Sequence, residues 1–147
     1  MGPAVEPVAY VRGGAAGDGF NRTRVVVMTY QEMKDALDMA GDAAARLEMV
    51  MDFGAHMPLP PSDAVCSEIV GCASRVEICR HGNRFYGVAD SALVRGIVAI
   101  ITAMVDGKNP QQIREMDLHG EFKSLNLQLG TGRLGGVNSM IRFLENL

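Results

Sequence analysis

An α+β fold, a small antiparallel sheet packed against helices, is the class this sequence predicts, and three observations predict it. Residues 74–89 hold two alternating runs around a turn, the next stretch is apolar on nearly every side, and amphipathic helical patterns flank both. No internal repeat interrupts this order.

The chain opens on a stretch rich in Gly, Ala and Pro, as in Arg12-Gly13-Gly14-Ala15-Ala16-Gly17-Asp18-Gly19. Such a composition buries little apolar surface, so residues 1–27 are expected to form a disordered N-terminal tail ahead of one domain over 28–147. Arg12, Arg22 and Arg24 face only Glu6 and Asp18, a weak likeness to a targeting leader. A cytoplasmic location is expected, and an organellar one only if residues 1–27 are a cleaved leader. Thr29-Tyr30-Gln31-Glu32 has the form of a capping box. Met33, Leu37, Ala40, Ala44, Leu47 and Met51 then recur at steps of four and three, which predicts one amphipathic helix ending at Phe53-Gly54. Pro58, Pro60 and Pro61 forbid its continuation.

Alternation over 74–80 sets Val76 and Ile78 on one face and Arg75, Glu77 and Cys79 on the other. His81-Gly82-Asn83 reads as a turn and 84–89 as the returning strand of a hairpin. Asp90 or Ser91 can cap the following helix, which is apolar almost all round, closes at Gly107 and is expected to be the buried centre. Asn109-Pro110 opens a short helix, and a second is expected around 121–125. A Gly-rich loop over 130–136 then leads to a last helix carrying Val137, Met140, Ile141 and Leu144 on one side.

A chain of 147 residues fits a single domain with its own core. Fourteen Lys+Arg against seventeen Asp+Glu leave a net charge of −3 with no basic block, which argues against a nucleic-acid partner. The longest apolar run, around residues 96–105, is too short to span a bilayer, so no membrane role is expected. Cys66, Cys72 and Cys79 are an odd, small set, which argues against a disulfide framework and for a reducing compartment with each thiol free. Gly71 beside Cys72 permits a tight turn that presents sulfur at a loop tip, and Arg75 nearby favours the thiolate. Taken alone, a single cysteine is more often a small packed hydrophobe.

Five segments in order change the weight of that residue. They are residues 52–60 (Asp-Phe-Gly-Ala-His-Met-Pro-Leu-Pro), Val70-Gly71-Cys72-Ala73-Ser74, residues 89–96 (Ala-Asp-Ser-Ala-Leu-Val-Arg-Gly), residues 107–113 (Gly-Lys-Asn-Pro-Gln-Gln-Ile) and residues 129–137 with Met140-Ile141. Together they resemble the SufE family of sulfur-acceptor proteins, over about residue 30 to the end. The chain departs in having Ala73 and Glu77 where the family commonly has Gln and Trp, and a Gly-rich loop around Arg133. The resemblance implies a SufE/IscU-like α+β fold with Cys72 as persulfide acceptor, Asp90 as the helix-start aspartate and Arg133 as the loop arginine. It implies no cofactor of the chain's own. The implied partners are a SufS-like, pyridoxal-phosphate-dependent cysteine desulfurase, which the protein stimulates, and an iron–sulfur scaffold or other sulfur acceptor.

Two other readings compete. One is a Cys-ligated metal site built from Cys66, Cys72 and Cys79 with His56 or His81, although gaps of five and six residues do not match the usual zinc knuckle. The other is a regulator that binds a desulfurase without transferring sulfur. His56, His81 and His119 form no recognisable hydrolase arrangement. The Gly-x-Gly-x-x-Gly letters over 130–135 have no preceding strand to make a dinucleotide site.

Overall fold

The computed structural model describes residues 8–11, 23–26 and 28–147. Within the N-terminal stretch, β1 (Val8–Val11) pairs antiparallel with β2 (Thr23–Val26), Val8 opposite Val26. The rest of the expected tail lies outside the described residues.

The capping box forms as expected at α1 (Tyr30–Met39): Thr29 Oγ1 accepts from the Glu32 N–H, and the Glu32 carboxylate accepts from the Thr29 N–H at 2.8 Å. The single long helix is corrected to two. Gly41 breaks the run, and the Asp42 side chain restarts it by capping α2 (Ala43–Ala55) through the Ala45 N–H. An apolar period continuous through 40–44 masked this break, because local capping chemistry outweighed the periodicity.

Three antiparallel strands, β3 (Val65–Glu68), β4 (Val76–His81) and β5 (Arg84–Ala89), form a sheet in that order. The expected hairpin is β4–β5, turning through Gly82, whose φ of 65° suits glycine. The edge strand β3 was not foreseen, since four mostly exposed residues give little alternation to read. It brings a second correction. The β3–β4 register sets Cys66 opposite Cys79, and their sulfurs are bonded, so the expectation of three free thiols does not hold. Register across a loop is not written in cysteine spacing.

α3 (Ala92–Val105) is the buried centre that the sequence predicts, with Ile97, Val98, Ile100, Ile101 and Val105 at or near zero exposure. Its one buried hydroxyl, Thr102, donates to the Val98 carbonyl at 2.8 Å and so carries no desolvation debt. Ser91 rather than Asp90 caps it, accepting from the Val94 N–H. At the far end Asp106 accepts from the Phe85 N–H at 3.0 Å, and the Gly107 N–H donates to Asn83 at 2.7 Å, tying the hairpin turn to the helix. On one side α3 lies on β4 and β5; α1, α2 and α6 (Thr131–Glu145) pack on its other sides. Between them run α4 (Pro110–Arg114), opened by Asn109 with proline in its first turn, and α5 (Leu118–Lys123), which starts three residues earlier than 121 because Asp117 caps it. The Gly-rich segment is also corrected: α6 begins at Thr131 and absorbs Gly132, Gly135 and Gly136 into helix. Among the described residues, no helix is long and apolar enough to cross a membrane.

Two glycines set the depth of the α2–α3 crossing. A Cβ on Gly96 would stand 2.0 Å from the Val50 carbonyl oxygen, and one on Gly54 would stand 2.5 Å from the Gly96 nitrogen. Both obstacles are backbone and cannot swing aside. Gly96→Ala therefore gains helix propensity of about 1 kcal/mol but forces the helices apart. We expect a net loss of about 1–3 kcal/mol in urea unfolding. Gly135, with nothing within 4 Å of its missing Cβ, is the converse. Gly135→Ala is expected to raise stability by about 0.5–1 kcal/mol. A Gly96→Ala chain as stable as the parent would contradict this crossing.

Candidate functional site

The loop joining β3 to β4 carries Cys72. Its base is closed by the Ile69 N–H donating to the Val76 carbonyl at 2.9 Å. Gly71 turns the chain with φ of 99°, and a side chain there would also meet Ser139 Oγ at 2.5 Å. The left-handed backbone is what requires glycine before the cysteine, since the Ser139 hydroxyl can rotate aside. The turn sends Cys72 down onto α6, where its Sγ lies 3.7 Å from the Gly136 carbonyl. Gly136 makes that approach available, because a Cβ there would stand 3.3 Å from the sulfur.

The half-buried thiol borders a cavity of about 310 Å³. Val94 and Ile97 of α3 and Met140 of α6 supply apolar wall, and Gly130 and Arg133 belong to the end where α6 starts. No side chain caps that helix start, so its first-turn amides are left for solvent or for a group entering the cavity. Burial pushes the Cys72 thiol above its ordinary value. The expected help from Arg75 is not what the structure shows: its guanidinium is bonded to the Glu77 carboxylate. At neutral pH the resting sulfur is therefore a neutral thiol against an apolar wall, and it becomes a strong nucleophile only when drawn toward water or a cation.

Of the three residues singled out by sequence, Cys72 and the exposed Arg133 border one cavity. Asp90 is exposed, does not line it, and is felt instead as a favourable charge by Arg75. Reasoning from sequence missed the seat of the cysteine, namely Gly136 and the walls Val94, Ile97 and Met140. The apolar three were read as core and the glycine as loop, and no local signal distinguishes a residue that packs on sulfur from one that packs on its neighbours.

The rival grouping of Cys66, Cys72 and Cys79 with His56 or His81 is not brought together among the described residues. Cys72 is the free cysteine, while Cys66 and Cys79 are bonded to each other. The Glu77 carboxylate lies within 4.8 Å of both sulfurs but is held by Arg75. His81 pairs with Asp63 at 3.1 Å, and His56 Nδ1 lies 3.0 Å from the Asp52 carbonyl.

Comparison with known proteins bears on this arrangement. The model of the family described as "SufE: Fe-S metabolism associated domain" matches residues 31–147. An uncharacterized SufE-like protein of Rhizobium meliloti is 32% identical over 113 residues, covering 69% of this chain and 81% of its own length. The sulfur acceptor protein CsdE of Escherichia coli is 29% identical over 97 residues, 60% of this chain and 66% of that one. A solution structure of a hypothetical protein from Thermus thermophilus shares the fold at a TM-score of 0.58 and 18% identity, covering 81% of this chain and 94% of the other. With its helices around a three-stranded antiparallel sheet and a family match over residues 31–147, the chain belongs to the SufE family.

Proposed function

We propose that this protein is a sulfur acceptor and carrier that takes persulfide sulfur from a cysteine desulfurase onto Cys72, stimulates that enzyme, and passes the sulfur to iron–sulfur cluster assembly. The observation that carries the reading is the seat of Cys72: a free thiol turned by Gly71 onto Gly136 at the edge of an apolar cavity. Family membership and the likeness to a sulfur acceptor protein support it. The work is assigned to the cytoplasm, where Cys72 would be kept as a free thiol, the Cys66–Cys79 bond being an exception to that compartment's usual reduced state.

The chemistry is a thiol exchange without net oxidation. The Cys72 thiolate attacks the outer sulfur of the desulfurase persulfide, and a bond forms between them. The persulfide S–S bond breaks, the desulfurase cysteine leaves as thiolate, and Cys72 holds the extra sulfur. The pyridoxal phosphate that generates the persulfide belongs to the partner. Folding back, the loop shelters the new S–S bond among Val94, Ile97 and Met140, where solvent thiols reach it slowly. An acceptor thiol completes the cycle by the same exchange.

Because burial raises the Cys72 thiol, the folded protein carries less thiolate at neutral pH than the unfolded chain. Alkylation by iodoacetamide should rise with pH through an inflection above the ordinary cysteine value of about 8.5. Unfolding in urea should speed it, and an inflection below that value would contradict the buried seat. Arg133 is assigned to the rim that meets the desulfurase, and Asp90 to the docking surface through Arg75. Arg133→Ala is therefore expected to slow sulfur transfer roughly three- to tenfold, more at low salt, with Cys72 alkylation unchanged. The test of the function itself is intact-protein mass spectrometry after incubation with a desulfurase, pyridoxal phosphate and cysteine. A gain of one sulfur mass, reversed by reductant and lost in Cys72→Ser, is the expected result. Desulfurase stimulation that persists in Cys72→Ser without any adduct on the parent would replace transfer by pure regulation.

A further inference from the structure

Cys66 and Cys79 take no part in the proposed transfer, yet they bracket it. β3 and β4 are the two stems of the Cys72 loop, and the disulfide joins those stems at directly opposed positions. The two residues differ in exposure: Cys66 is exposed, whereas Cys79 is fully buried at 0%. Among the described residues β3 is an edge strand whose sheet neighbour is β4 alone, so its ladder and this bond are what the sheet offers to hold it in place.

We propose that Cys66–Cys79 is a thiol-exchange site, opened and closed by a small thiol of the glutathione class, and that its state sets how freely the Cys72 loop leaves its seat. An incoming thiolate bonds to the sulfur of Cys66, the more exposed residue of the pair, the Cys66–Cys79 bond breaks, and Cys79 departs as thiolate and takes up a proton. A second small thiol then attacks the sulfur it finds on Cys66, forming the external disulfide and releasing the Cys66 thiol. Two small thiols are oxidised and one protein disulfide is reduced. The oxidised form of the same thiol reverses both steps.

The coupling follows from chain length. With the bond closed, opening can reach no further than residues 67–78, and the hydrogen bond from Ile69 to Val76 narrows it to the loop tip while it holds. With it open, β3 can peel from β4, and the segment that must bend to lift Cys72 off Gly136 lengthens back toward the α2–β3 connection. Oxidation holds the acceptor in its seat, and reduction frees it. That the switch governs sulfur acceptance rests on the acceptor reading of Cys72; the exchange site and the gating of the loop do not.

The experiment equilibrates the full chain in glutathione buffers of rising oxidised fraction, quenches with acid and counts thiols with a maleimide. Three labelled cysteines are expected under reducing conditions, and Cys72 alone once the pair has closed. Labelling of Cys72 is then timed under native conditions without any desulfurase and read by peptide mapping. It should be several-fold slower in the oxidised form, and Cys66→Ser should stay at the faster rate whatever the buffer. Three free thiols at every glutathione ratio would overturn the site. Pairing with equal Cys72 rates in both states would overturn the gating. The rate contrast seen in a protein that accepts no sulfur from a desulfurase would uphold the switch and fell the acceptor reading separately.

Discussion

The burial of α3 over most of its surface is the constraint on which the rest of the structure depends. Each fully buried Ile or Val along it contributes about 1.5–3 kcal/mol relative to exposure, and the helix carries several. To be covered so widely, it must let its neighbours come close, and its own sequence decides where. Gly96 admits the α2 backbone, Val98 fills the space left by Gly87 of β5, and Val94 and Ile97 become wall for the Cys72 cavity. One helix thus fixes the sheet, the α2 layer and the chemistry at once. That coupling explains why the cysteine sits on a loop yet meets a rigid surface.

The seat uses glycines in two different ways. Gly71 supplies a backbone turn that a side chain would strain, while Gly136 supplies empty space in which sulfur can lie against helix. Neither alone would hold Cys72 where it is. The loop is held shut by a weak sulfur contact at 3.7 Å and apolar packing rather than by a salt bridge. Such a closure is easily released by a partner, which suits a cargo that must be hidden in transit and surrendered on docking.

Much of this was legible in the sequence, for reasons that can be named. The capping box at Thr29 and Glu32, the Gly82 turn and the all-round apolar α3 are local signals, written in residues that act on their near neighbours. The resemblance then drew attention to Cys72 and Arg133, which border one cavity. What escaped were facts of register and approach. The Cys66–Cys79 pairing depends on how β3 slides along β4, and the role of Gly136 depends on a loop more than sixty residues away. The helix over Gly132, Gly135 and Gly136 escaped for another reason. Three glycines argue for a loop, and only the packing of Val137, Met140 and Ile141 against the core outweighs their propensity.

The central claim is that Cys72, held in this seat, is where sulfur arrives and where it is protected. A single-turnover transfer of radiolabelled sulfur from a loaded desulfurase, followed by peptide mapping and by timed release with glutathione, tests it most directly. Label confined to the Cys72 peptide, released slowly from the folded protein and quickly once it is unfolded, is the result this account requires. Label on Cys66 or Cys79, or release that is equally fast folded and unfolded, would contradict it.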